Sequence, residues 1–157
     1  MLSNTDLYKM AKDYDVKIDE IIYKDDIMNI SKKLNMNIII NLQDSSSEGN
    51  GTHWTILIKR NNKYFYFDSF GANCPNIVKQ YCQKNLGCNN YIVQNINSET
   101  CGYFCFALLL YLKHNKGNNF YDICNDYINL YEDNTKFNDK ILFKYINSIP
   151  LTTSNRF

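Results

Sequence analysis

Four side chains have the types and placement to carry out acyl transfer: His53, Asp68, Gln94 and Cys101. Cys101 stands where a polar turn, 95–100, gives way to the most apolar stretch of the chain. A cysteine in the first turn of a helix faces unpaired N–H groups and the positive end of the helix dipole, and both favour a thiolate. Gly102, next to it, has no Cβ and lets a neighbour approach the backbone closely. A thiol nucleophile needs a base, a group to orient that base, and donors for the oxyanion. His53 is the candidate base and Asp68 the candidate orienter. Gln94, with the N–H groups of Cys101 and Gly102, is the candidate oxyanion hole. Each has a plainer reading as well: a buried structural cysteine, a strand-end histidine, a turn aspartate, a solvent-facing glutamine. Convergence is what separates the two readings.

The elements expected around these residues bring them together. Trp54–Arg60 and Lys63–Asp68 are β-rich runs joined by Asn61-Asn62, a turn residue pair that tolerates positive φ, so they form a hairpin. If Arg60 pairs with Lys63, Thr55 faces Asp68, and His53 is the diagonal neighbour of Asp68. A loop, 69–75, then leads to a helix started by Pro75, with Ile77, Val78, Tyr81 and Cys82 on its apolar face and Gly87 as its stop. Tyr91–Gln94 reads as the next strand, parallel to Lys63–Asp68 because a helix crosses between them. His53, Asp68, Gln94 and Cys101 then share one rim of the sheet, the kind of edge where open α/β sheets hold their sites.

Elsewhere the pattern is plain. Leu7, Met10, Ala11 and Tyr14 predict a first helix capped by Ser3 or Asn4, and a second helix is expected over about Asp26–Leu34. Ile18, Ile21 and Ile22 read as a connecting segment, 37–42 as a buried strand, and 44–51 as a surface loop. Two amphipathic helices follow the Cys101 helix, one marked by Phe120 to Tyr131 and one by Ile141 to Ile149. The expected fold class is α+β: a small mixed sheet of four to five strands packed between helices, as one domain over 1–157 with a loose tail at 151–157.

With 157 residues, 45% apolar, the chain can bury a substantial core. The net charge of +1, with acids and bases mixed, argues against a nucleic-acid partner. No signal-peptide pattern and no membrane-length apolar run occur, so a soluble intracellular protein is expected. Six cysteines without a secretory context read as reduced thiols, and with no Cys-x-x-Cys pair and only His53 and His114, no metal site is expected. Cys105, one turn after Cys101, reads as packing, and His114 as a charge at a helix C-terminus. Trp54 reads either as cleft lining or as core.

His53-Trp54, Phe67-Asp68-Ser69-Phe70-Gly71, Gln94 and Asn97 through Cys105 resemble the adenovirus-type cysteine proteases, in the clan of the SUMO-deconjugating proteases. The order His, Asp, Gln, Cys is that clan's, and the likeness covers about 37–112. The short chain and the Gly-Asn-Gly-Thr-His-Trp approach look most like maturation proteases of virophages, polinton-like elements and large DNA viruses. The resemblance implies an adenain-like fold with the nucleophile at the start of a buried helix. It also implies an endopeptidase that cleaves capsid or other virion precursors after small residues, at Gly-Gly or Gly-x-Gly sites, in the virion and host cytoplasm. Trp54, Gly51 and Thr52 would then contact the substrate, with Trp54 roofing a narrow cleft, and the enzyme would work as a monomer without a cofactor. The adenovirus enzyme has Glu at the place of Asp68. Its activation by a linked peptide and by DNA is not supported by the composition here, and neither Cys82 nor Cys88 aligns with its peptide-linking cysteine. No Gly-Gly occurs in the chain, so self-cleavage at such a site is not expected. Two other functions fit the same residues: a deconjugase of ubiquitin-like modifiers, and an idle binding protein on the same scaffold.

Overall fold

In the computed structural model, which describes residues 1–46, 53–117 and 119–152, the chain opens with helix α1, Asn4–Asp13. Ser3 caps it. Its hydroxyl accepts from the Asp6 N–H while the Asp6 carboxylate accepts from the Ser3 N–H, so two end donors are satisfied reciprocally. Leu7 and Ala11, one turn apart, carry the helix's buried face.

Strand β1, Glu20–Tyr23, lies where the sequence predicts only a connection. It pairs in parallel with β2, Asn35–Asn41, with Ile21 opposite Ile39, and that distant partner is what makes it a strand. Between them the expected helix over 26–34 is absent. Lys24–Asn29 form a 3-10 helix with Ile27 as the one fully buried side chain, too narrow an apolar face for further turns. The Asp25 carboxylate also ties the segment to the next loop, accepting from the N–H and hydroxyl of Ser45.

Strands β3, Trp54–Arg60, and β4, Lys63–Phe67, form the hairpin that the Asn61-Asn62 turn predicts, with Arg60 opposite Lys63 and Ile56 opposite Phe67. Asn61 takes the positive φ of 56° that the tight turn requires. Helix α2, Asn76–Cys82, starts behind Pro75 and stops at Gln83, whose φ of 66° leaves the helical region. The strand after this crossover is not Tyr91–Gln94. It is β5, Leu86–Cys88, parallel to β4 with Gly87 opposite Phe65. Gly87 therefore lies inside a strand rather than ending the helix, and a Cβ there would lie 3.0 Å from the Tyr121 ring. Tyr91–Gln94 has strand composition but no ladder: Val93 and Gln94 N–H groups both donate to Ser69 O, and Tyr91 and Ile92 stay exposed.

The sheet order is β1-β2-β3-β4-β5, with the outer pairs parallel and the inner pairs antiparallel. Helix α3, Cys101–His114, packs on one face of it, with α4, Phe120–Ile128, and α5, Asn138–Ser148, beyond. Every residue of α3 from Cys101 to Leu110 except Tyr103 is buried, as expected of a helix apolar all round. Trp54, Ile56, Ile58, Phe65 and Phe67 meet it from the sheet. Ile38, Ile40, Leu57, Tyr64 and Tyr66 point the other way, onto α2 and the 3-10 segment. The class is α+β, a five-stranded mixed sheet between helical layers. At the C-terminal end Thr152 donates its N–H to Asp13 O, so that part of the expected loose tail is held; 153–157 lie outside the described residues.

Candidate active site

The site is assembled at the sheet edge where β3 begins and β4 ends. His53 immediately precedes Trp54, the first residue of β3, and Asp68 directly follows Phe67, the last of β4. Their side chains meet, with His53 Nε2 2.7 Å from Asp68 Oδ1. Asp68 is 1% exposed, and Oδ1 also accepts the Phe70 N–H at 2.8 Å. The Phe70 ring stacks on the imidazole at 4.8 Å between centroids. The ring is thus fixed along one edge and one face. Asn89 fixes the backbone behind it, accepting the Asp68 N–H through Oδ1 and donating to Asp68 O through Nδ2.

Cys101 starts α3, and its Sγ accepts the N–H of Trp54 at 3.4 Å, beside His53 in the chain. The second ring nitrogen of His53, Nδ1, is buried with no hydrogen-bond partner among the described residues. The Cys101 sulfur nevertheless supports the ring's charge from close by. Burial alone would push the imidazole down. The hydrogen bond to Asp68, the Cys101 sulfur and the charges of both more than reverse it, and the His53 pKa rises from 6.5 to about 9.

The start of α3 has donors to spare. Thr100 makes no side-chain cap, and its hydroxyl donates to Asp139 at 2.9 Å. The first bond of the helix runs from the Phe104 N–H to Thr100 O, so the N–H groups of Cys101 and Gly102 have no helical acceptor. Gln94, 1% exposed, is held at both ends of its amide: Oε1 accepts the Ser69 hydroxyl at 2.5 Å and Nε2 donates to Ser98 O at 2.8 Å. It is anchored to the turn that leads into Cys101. Cys105 lies deeper, its thiol donating to Trp54 O and its pKa pushed well up by burial, which suits packing and not chemistry.

Trp54 is 4% exposed, with its indole N–H donating to Leu2 O at 2.9 Å. A Cβ on Gly102 would lie 3.1 Å from Leu2 and 3.2 Å from the Trp54 ring, so what approaches this glycine is the protein's own indole and N-terminal segment. Gly51 and Thr52 lie outside the described residues. Ser69, Phe70, Asn89 and Ser98 hold His53, Asp68 and Gln94, yet the sequence gives none of them a role. Ser69 and Phe70 were in view beside Asp68, and only their adjacency to it could have marked them. A cavity of about 460 Å³ opens at the opposite end of the hairpin, between Lys32, Lys59, Tyr64 and Lys84, far from this chemistry. All six cysteines are free, and among the described residues no three His, Cys, Asp or Glu side chains gather as around a metal ion. Among the same residues no helix is long and apolar enough to cross a membrane.

No family model matches the sequence, and no curated protein does. Among solved structures, the chain is similar to the selenomethionine crystal structure of the ASFV pS273R protease, at a TM-score of 0.48 and 17% identity, over 74% of this chain and 44% of that one. The chain spans less than half the length of that protein.

Proposed function

We propose that the protein is a cysteine endopeptidase. The observation that carries the reading is a single imidazole bonded at 2.7 Å to a buried carboxylate, next in the chain to Trp54, whose N–H donates to the sulfur of a helix-start cysteine at 3.4 Å. His53 takes the Cys101 proton, Asp68 holds the ring and its charge, and Sγ attacks the scissile carbonyl. Gln94 Nε2 and the free N–H groups of Cys101 and Gly102 receive the oxyanion. His53 then returns the proton to the leaving amine, and water releases the acyl group from sulfur. Cys101 is 2% exposed, so a substrate must reach it as a flat, side-chain-poor backbone, which fits cleavage after small residues. With the motif resemblance, this favours capsid or other virion precursors cut at Gly-Gly or Gly-x-Gly sites, by a monomer acting in the virion and host cytoplasm.

The test is incubation with Gly-Gly-containing precursor peptides and with a panel of ubiquitin-like conjugates, reading new termini by mass spectrometry. Cleavage of the former that disappears in Cys101→Ala, with the circular dichroism spectrum unchanged, is the expected result. Turnover retained by Cys101→Ala ends the assignment, and turnover confined to the conjugates makes the protein a deconjugase instead.

A further inference from the structure

We propose that Ser69 is a positioning residue of the oxyanion hole, one that holds the Gln94 amide still while the Ser98 carbonyl sets which end of it is the nitrogen. This rests on the reading of Gln94 as an oxyanion donor. A glutamine amide has two ends of similar size and opposite polarity, and only the nitrogen end stabilises an oxyanion; the oxygen end would repel it. One contact fixes the sense here and a second holds it. Ser98 offers Gln94 a carbonyl oxygen, which can only accept, so the group facing it at 2.8 Å is Nε2. The opposite end is Oε1, and the Ser69 hydroxyl at 2.5 Å must therefore donate to it. An amide carries two hydrogens on nitrogen. With one given to Ser98 O, the second has no protein acceptor among the described residues and is free for a substrate oxygen.

Without Ser69 the amide would be held at one point and could pivot about the Ser98 contact. The clamp is tight because both partners are out of water, Ser69 at 0% and Gln94 at 1% exposed, so no solvent replaces the bond when it is lost. Ser69 grips the same segment through its backbone too, its carbonyl accepting the N–H groups of Val93 and Gln94 at 2.9 and 3.0 Å. It also directly follows Asp68 in the chain, so the base's orienter and the oxyanion donor are set from two adjacent residues.

The experiment is steady-state cleavage of a Gly-Gly peptide by Ser69→Ala, Gln94→Ala and the double variant of the full chain, alongside the rate of Cys101 alkylation by iodoacetamide across pH. Alkylation forms no oxyanion, so it reads the thiol and His53 without Gln94. For Ser69→Ala, kcat should fall about 10- to 100-fold, less than the 10²–10³ typical of losing a donor outright, with KM within about 2-fold. Its alkylation rate and pH profile should match the parent protein, and the Ser69→Ala loss should vanish on the Gln94→Ala background. Should Ser69→Ala not fold, Ser69→Cys, a weaker donor in the same place, should show the same direction in kcat. Losses that add in the double variant, or an alkylation rate that falls in step with kcat, overturn the proposal. A Gln94→Ala variant within about 2-fold of the parent protein, while Cys101→Ala is dead, overturns it too and leaves the protease reading standing.

Discussion

Asp68→Asn keeps the shape of the carboxylate and removes its charge, and the structure sets the size of the consequence. His53 stands at a pKa of about 9 because the Asp68 hydrogen bond and charge, with the Cys101 sulfur, outweigh a burial that pushes the ring down. With the carboxylate neutralised, Asp68's share of that rise is lost, and the pKa should fall from about 9 toward 6.5. The whole rise is about two and a half units, so Asp68's share is at most on the order of 3 kcal/mol at ~1.4 kcal/mol per unit. The His53 side chain is 13% exposed, so solvent screening takes little from this figure. The folded pKa lies above the unfolded value, so the parent protein holds the full contribution below pH 6.5 and loses it as pH rises through 9. Asp68→Asn should lack that alkaline fall in stability. Its turnover should drop by on the order of 10⁴, the size of the same loss in serine triads. NMR titration of the imidazole Cε1–H signals reads the pKa directly, since the chain has two histidines and His114→Gln assigns them. Urea midpoints across pH 6–10 read the stability. A His53 that titrates near 6.5 in the parent protein, or still near 9 in Asp68→Asn, would refute the electrostatic account.

Two further outcomes follow from the same geometry. Gly71 has φ of 67°, and a Cβ there would stand 2.8 Å from the Tyr91 carbonyl carbon; Gly71→Ala should therefore lose at least ~1–3 kcal/mol by urea denaturation, with a fall in activity from the displaced loop behind Asp68. Iodoacetamide near neutral pH should label Cys101 and the exposed Cys88 but spare Cys105 and Cys124, whose thiols burial pushes up, as peptide mass mapping would show.

What the chain discloses before folding depends on how local the cause is. The β3–β4 register follows from two asparagines and a count, and the contact between His53 and Asp68 follows from that register. The burial of α3 follows from its unbroken apolar run. β1 and β5 were not legible, because what makes four residues at Glu20 or three at Leu86 into strands is a neighbour supplied by a distant part of the chain. Tyr91–Gln94 misled for the opposite reason: Tyr, Ile and Val have strand propensity, but Ser69 O took the backbone donors that a ladder would have used. The role of Ser69 was hidden by its size. A serine after an aspartate announces a turn, and only the fold shows which glutamine it reaches.

The chain has one tryptophan, and its indole lies beside Gly102 under Leu2, a residue away from the candidate nucleophile. Nature has thereby placed a lone indole at the doorstep of the chemistry. Stopped-flow emission, with no added label and no second indole to blur it, can time the arrival of a peptide.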